Sequence, residues 1–307
     1  MPLFSVVIPS YNRADYIGRS IDSVLKQPFA DREIIIAEDG STDRTMEVLA
    51  GYGSQIRIVQ QPNKGEGGAR NLGVRAATGD YVVFLDSDDL HFPWTLECLA
   101  EVIARHNRPA LIQSRVRPFR DDAELASIRP QSISAQYFPD YLAVRPLSVY
   151  GVNGTAIRRD LMLRVGDFME DRIVGLDIDY MLRLGTCPGF VRIDDPPVFA
   201  YREHAGSISR DFRLVYRGLR LLVAKEKLAY FPGGPARAAD RRRLLCLHVR
   251  STAIRCAHVG QFAEAMDLYC STFWWNLRLG RAKFLLALPP TAVVGALRRR
   301  FGSFAGG

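Results

Sequence analysis

Four short runs rich in Val and Ile occupy the first 85 residues of this 307-residue chain, each followed by a segment of helical spacing. They are Phe4-Ser5-Val6-Val7-Ile8-Pro9, Glu33-Ile34-Ile35-Ile36-Ala37, Ile56 to Val59 and Tyr81-Val82-Val83-Phe84-Leu85. Ile17, Ile21, Val24 and Leu25 form an apolar stripe after the first, Thr45, Val48 and Leu49 lie after the second, and Ala69 to Ala77 reads as a helix after the third. Runs this apolar suit strands buried on both faces, and alternation with helices calls for right-handed crossovers. The expected class is therefore α/β, with a mainly parallel sheet flanked by helices and ligands bound beyond the carboxyl ends of the strands.

Polar groups fall at those ends. Pro9, Ser10, Tyr11 and Asn12 follow the first run, Glu38 and Asp39 the second, and Asp86, Ser87, Asp88 and Asp89 the fourth. Three carboxylates within four residues repel one another and are costly at the end of a buried strand unless a cation or polar ligand compensates them. Hard oxygen ligands suit Mg²⁺ or Mn²⁺, and Mg²⁺ is commonly held by one or two carboxylates together with substrate phosphates. A solvated turn or a helix N-terminal cap is the structural alternative, above all at Asp89. The shared placement of these loops favours one common site that takes a phosphate-bearing substrate.

Gly65-Glu66-Gly67-Gly68-Ala69-Arg70 matches neither the dinucleotide fingerprint nor the P-loop pattern. Within it Arg70, near a helix start, suits recognition of nucleotide or phosphate oxygens, with a salt bridge to a nearby acid as the alternative. A formal charge of +8 is unevenly spread, with Arg241-Arg242-Arg243 and Arg298-Arg299-Arg300 lying late. No nucleic-acid module is recognisable, so no nucleic-acid partner is expected. Five scattered cysteines and the lack of a secretory signal point to a reducing, cytoplasmic location. No stretch of about twenty apolar residues suggests a transmembrane helix.

Taken together, Val6-Val7-Ile8-Pro9-Ser10-Tyr11-Asn12, Glu38-Asp39-Gly40-Ser41-Thr42-Asp43, Gly68-Ala69-Arg70-Asn71 and Leu85-Asp86-Ser87-Asp88-Asp89 closely resemble family 2 glycosyltransferases. The resemblance covers roughly residues 3 to 210. It implies a Rossmann-like GT-A fold, a nucleotide-sugar donor, a divalent cation (Mn²⁺ or Mg²⁺) and inversion at the anomeric carbon. By position, Pro9, Tyr11, Asp39 and Arg70 match the family's nucleoside-binding set. Asp86 and Asp88 match its D-x-D element, Asp88 on the metal and Asp86 on the ribose or metal shell. Glu38 stands where an aspartate is frequent.

A second resembling segment is Gly166-Asp167-Phe168-Met169-Glu170 with Gly175-Leu176-Asp177-Ile178-Asp179-Tyr180. In the family an acidic pair opens a helix here and supplies the base. Leu176 occupies the first acidic position, and Asp177 is retained. Inverting transfer needs one base opposite the leaving diphosphate, and the resemblance assigns it to Asp177, with helix capping as the alternative. Asp179 is expected to support the loop or bind acceptor. Tyr201-Arg202-Glu203-His204, followed by Ser207-Ile208-Ser209, resembles the post-catalytic loop in which a histidine approaches the metal or the diphosphate, which makes His204 a candidate metal ligand.

The expected organisation is a GT-A domain over 1–210, with its nucleotide half to about 113 and its acceptor half from 114, and a helical C-terminal region over 211–307. Phe231-Pro232-Gly233-Gly234-Pro235 reads as a break between helices. Cys246 and His248, and likewise Cys256 and His258, stand two apart on a helix and do not share a face, which argues against zinc. Phe273-Trp274-Trp275 and Phe284 to Pro290, close to Arg281, Lys283 and Arg298 to Arg300, combine interfacial aromatics with cations. That mixture suits either peripheral contact with an anionic membrane at its inner face or packing on the catalytic domain. The expected activity is transfer of a sugar from a nucleoside diphosphate donor, UDP favoured, to a hydroxyl acceptor, glycan or lipid-linked, in glycan or polysaccharide synthesis. The rivals are a sugar nucleotidyltransferase, which would release pyrophosphate, and a silent nucleotide-sugar-binding scaffold.

Overall fold

A computed structural model describes residues 1–145, 151–204 and 211–302. In chain order the first part holds β1 (Phe4–Ser10), α1 (Ile17–Leu25), β2 (Arg32–Glu38), α2 (Thr45–Ala50), β3 (Arg57–Gln60), α3 (Gly65–Ala76), β4 (Tyr81–Phe84), β5 (Leu90–His91), α4 (Thr95–Arg105), β6 (Leu111–Ser114) and β7 (Val116–Phe119). There follow β8 (Ser134–Phe138), β9 (Thr155–Arg158), α5 (Arg159–Val165), α6 (Leu176–Arg183), β10 (Phe190–Asp195) and β11 (Phe199–Arg202). The last part is helical: α7 (Phe212–Lys227), α8 (Ala238–His258), α9 (Phe262–Arg278) and α10 (Ala282–Gly302).

The four expected strands are β1 to β4. Every residue of β1 is buried, which is why the run is unbroken in Val and Ile rather than alternating. The strand pairs in parallel with β2 on one side (Val6 beside Ile34) and β4 on the other (Val6 beside Val83). The full order is β3-β2-β1-β4-β9-β6-β10-β8, with a smaller sheet β5-β11-β7. In the large sheet β9 runs antiparallel between β4 and β6, and β8 antiparallel at the edge. Helix α1 buries Ile17, Ile21 and Val24, the i, i+4, i+7 stripe that packs with Val6, Ile8, Ile34 and Ile36 in one core. This is the GT-A arrangement, a mainly parallel sheet covered by helices.

One boundary departs from the sequence reading. Helix α3 begins at Gly65, not near Ala69, so the glycine run forms its first turn. A Cβ on Gly67 would lie 1.9 Å from the Met169 carbonyl oxygen, so the residue is glycine because another backbone passes over it. Glycine disfavours a helix interior by about 1 kcal/mol, and the packing offsets that cost.

The chain divides into two compact units, Met1–Arg172 with Arg183–Ala205, and Ile173–Leu182 with Gly206–Gly307. The second takes up Ile173–Leu182, which the sequence reading assigned to the acceptor half. The physical reason is local. Val174 N donates to the Leu214 carbonyl at 3.4 Å, and a Cβ on Gly218 of α7 would come within 1.7 Å of the Val174 oxygen. Lys225 of α7 also pairs with Asp179 of α6 at 2.7 Å. The expected break at Phe231 to Pro235 lies between α7 and α8.

Candidate active site

Loops at the carboxyl ends of β1 and β2 are tied together by side chains. Asn12 takes a left-handed backbone (φ 51°), and its Oδ1 accepts from Thr42 N at 2.8 Å and Asp43 N at 3.3 Å. Asparagine tolerates this conformation because its short amide bonds locally. Glu38, buried, accepts from Gly40 N (3.0 Å) and Ser41 N (2.6 Å), and so shapes the Asp39-Gly40-Ser41 turn. Asp39 is also buried. Its Oδ1 accepts from Gln61 Nε2 (2.8 Å) and Lys64 N (2.9 Å), its Oδ2 from Gly65 N (2.8 Å), which fixes the approach to α3. Pro9 is buried within β1, and Tyr11 just beyond it is exposed.

At the end of β4 the carboxylates diverge in environment. Asp86 Oδ1 accepts from Arg70 Nη2 at 3.2 Å, and Oδ2 accepts from Asn153 Nδ2. Asn153 reaches it because it forms an isolated bridge beside Phe84, where the chain turns into β9. Arg70 is buried between Phe84 and Phe168, its guanidinium carbon 5.7 Å from each ring centroid, and also pairs with Glu66 at 2.7 Å. Cation–π contact and two acids thus hold the charge in an otherwise apolar place.

Asp88 presents Oδ2 to two cationic or ionisable groups, Arg13 Nε at 3.3 Å and His204 Nε2 at 3.1 Å. The His204 ring stacks on Tyr16 with centroids 5.5 Å apart. Asp89 turns inward, fully buried, and its Oδ1 accepts from Arg202 N at 2.8 Å. Burial, with the Asp86 charge beside it, pushes its carboxyl well above the usual carboxylate range. It ties the turn to β11 rather than capping a helix. Arg202 closes the arrangement by donating from Nε to the Asp88 carbonyl (2.9 Å) and from Nη2 to Asp122 (2.9 Å).

The structure therefore brings Arg70 to Asp86 and His204 to Asp88, at strand ends that also carry Pro9, Tyr11 and Asp39. Asp177 stands in the first turn of α6, in the second compact unit, with Leu176 buried beside it and Asp179 engaged with Lys225. Ser207, Ile208 and Ser209 lie outside the described residues. As a metal site, Asp88 and His204 offer one carboxylate and one imidazole, 18 % and 19 % exposed, while both Asp86 oxygens already have protein partners. Among the described residues no three His, Cys, Asp or Glu side chains gather to enclose an ion. The donor set fits a divalent ion only as a partial site that substrate oxygens would complete.

Residues 5–165, just over half of the chain, match the family model described as glycosyl transferase family 2. The chain belongs to that family. It is 35% identical over 179 residues to an uncharacterized glycosyltransferase of Nostoc sp., which is 52% of this chain and 52% of that protein. It is 46% identical over 107 residues to the chondroitin synthase of Pasteurella multocida, 34% of this chain and 11% of that protein. The chain thus spans about half or less of the length of the curated relatives it matches first. Among solved structures, S. aureus TarS 1-349 in complex with UDP superposes with a TM-score of 0.64 at 19% identity, over 98% of this chain and 92% of that one. A mannosyltransferase from Pyrobaculum calidifontis in complex with GDP-Man and Mn²⁺ gives 0.54 at 19% identity, over 98% and 88%. At this identity both likenesses speak to the fold.

Within this family 2 chain, three residues at the site escaped the sequence reading. Arg13 directly follows the Tyr11-Asn12 motif and Arg202 lies in the quoted Tyr201-Arg202-Glu203-His204 run, so both stood in view. Asn153 had no signal, because the antiparallel insertion that delivers it is remote in sequence. Glu38 was noted, but its service as acceptor for its own turn shows only in three dimensions.

Proposed function

We propose that this chain is an inverting glycosyltransferase that moves a sugar from a nucleoside diphosphate sugar, UDP favoured, to a hydroxyl of a growing polysaccharide. The observation that carries the reading is the meeting of Arg70, Asp86, Asp88, Arg13 and His204 at the carboxyl ends of parallel strands. Carboxylates and guanidiniums alternate there, an arrangement suited to a ligand that has an anionic diphosphate and an accompanying cation. Family membership supports it, as do the chondroitin and hyaluronan synthases of Pasteurella multocida among the relatives. The UDP and UDP-GlcNAc complexes of TarS favour uridine, and the GDP-Man complex keeps guanosine in the test.

In this reading Pro9, Tyr11 and Asp39 flank the nucleoside, and Arg70 with Asp86 orients the ribose and phosphates. Asp88 and His204 would hold Mn²⁺ or Mg²⁺, with Asp86 in its outer shell; when bound, the ion supplies charge to offset the leaving diphosphate. Arg13, 3.3 Å from the Asp88 oxygen, is placed to reach a phosphate oxygen. Asp177 takes the acceptor proton as the hydroxyl oxygen bonds to the anomeric carbon and the bond from that carbon to the diphosphate breaks.

Thermal unfolding with UDP, dTDP and GDP, each with and without Mn²⁺, tests the donor half. A ligand at about one hundred times its dissociation constant adds about 2.7 kcal/mol, enough for a clear rise in midpoint. One nucleotide should stabilise with metal, and Asp88→Ala should lose the effect; no rise with any nucleotide would count against the donor site. For the base, Asp177→Asn should bind donor normally and lose transfer. Near-normal transfer by that variant would sink the assignment.

A further inference from the structure

The α9–α10 hairpin carries two faces of opposite character. Inward, Trp275, Phe284, Leu285 and Leu288 are buried. Outward, α10 shows Leu286, 78 % exposed, then Pro290, Val293 and Leu297, a spacing of four, three and four that keeps one helical face. Trp274, 67 % exposed, and Leu277 stand near the end of α9, so they border the same turn as Leu286. Charge completes the pattern. After Asp267 the sequence holds no Asp or Glu, while Arg278, Arg281, Lys283 and Arg298 to Arg300 bracket the apolar stripe.

The backbone sets the depth of any membrane contact. Pro289 and Pro290 lie inside α10 and have no N–H for the carbonyls of Leu285 and Leu286. Tyr269 Oη donates to the Leu285 carbonyl at 3.0 Å, on the inner face. The Leu286 carbonyl has no N–H at residue 290 to accept, and water or a lipid headgroup can serve it where hydrocarbon cannot. Among the described residues no helix is long and apolar enough to cross a membrane.

We infer that this face docks on an anionic lipid bilayer, with Trp274, Leu286, Val293 and Leu297 at the boundary of headgroups and acyl chains and the flanking cations on the lipid phosphates. Interfacial helices of this kind join an apolar stripe to a basic rim. A second copy of the chain would bring the same cations face to face, which disfavours self-docking. The inference does not depend on the donor reading, and either can fail alone.

Co-sedimentation of the full chain with vesicles of phosphatidylcholine alone, or mixed with phosphatidylglycerol, tests it. Binding should require the anionic lipid and should fall as salt shortens the Debye length from about 10 Å to about 3 Å. Arg278→Gln, Arg281→Gln and Lys283→Gln together should weaken it about a hundredfold, at about fivefold for each cation. Leu286→Ser, at a side chain so exposed that folding is unaffected, should weaken it at unchanged charge. Equal binding to neutral vesicles, no binding to either, or indifference to both variants would overturn the proposal. So would self-association in sedimentation velocity that Leu286→Ser abolishes, since the face would then belong to a second copy.

Discussion

The carboxylates that follow β4 in the first unit and those buried in the second are held in opposite ways. In the second, Glu226 is fully buried and saturated: Arg241 reaches Oε2 from Nε at 2.7 Å and Oε1 from Nη2 at 3.4 Å, Arg242 Nε reaches Oε1 at 3.1 Å, and Arg241 Nη1 donates to the Pro232 and Gly234 carbonyls. Asp179 is likewise buried against Lys225. In the first, Asp86 and Asp88 are partly open to solvent, and Asp88 shares one oxygen between Arg13 and His204. Closed pairs fix helices against one another; open, shared ones leave room for a ligand to displace a partner. Function is read from openness here, not from the number of ion pairs.

Breaking a closed pair should cost most. Glu226→Ala leaves Arg241 buried without its carboxylate, and removing one partner of a buried pair typically destabilises by about 3–5 kcal/mol. Chemical denaturation should show that loss, and a change below about 1 kcal/mol would mean that water replaces the carboxylate. Asp88→Asn should behave oppositely, with stability unchanged within about 0.5 kcal/mol and sugar transfer lowered by about a hundredfold or more. An Asp88→Asn protein that unfolds easily yet keeps its transfer rate would reverse the contrast.

A third case lies between. Asn71, buried in α3, brackets Phe168 by donating from Nδ2 to its carbonyl (3.0 Å) and accepting at Oδ1 from its N–H (2.7 Å). Phe168 in turn covers Arg70. Asn71→Ala should cost about 2 kcal/mol, from two backbone groups left without partners, and should weaken nucleotide binding through Arg70. Stability lost without any change in nucleotide affinity would confine Asn71 to a packing role.

The sequence reading located β1 to β4 because buried parallel strands are continuous apolar runs, and it singled out the carboxylates because acids crowded at the end of such a run are costly unless something compensates them. It could not see Asn153, because an antiparallel strand inserted between β4 and β6 brings a distant asparagine to Asp86. Nor could it see that residues 173–182 join the C-terminal helices, a consequence of the close approach at Gly218 and of the Lys225 pair. The glycines before Arg70 looked like a loop, since local propensity opposes a helix there and the Met169 backbone that passes over Gly67 is remote in sequence. Periodicity reports what is local, and the missed features all come from pairings across the chain.

Glu33 supplies the smallest test and the sharpest control, because it is a closed carboxylate inside the unit that holds the open ones. At the start of β2 its Oε1 accepts from Ser5 Oγ (2.6 Å), Thr78 N (2.7 Å), Thr78 Oγ1 (2.8 Å) and Gly79 N (3.2 Å). Burial works to raise its pKa, but the hydrogen bonds from Ser5, Thr78 and Gly79 outweigh it, and the folded value lies below that of an ordinary glutamate. A depressed carboxylate stabilises the fold above its unfolded pKa, and that contribution is lost as pH falls through the lower folded value. Glu33→Gln should therefore cost about 1 kcal/mol at neutral pH, and the gap to wild type should narrow as the pH falls below about 4. Urea denaturation at neutral and acid pH measures both. A gap independent of pH would mean that the geometry of the acceptor, and not its charge, ties β2 to the turn before β4.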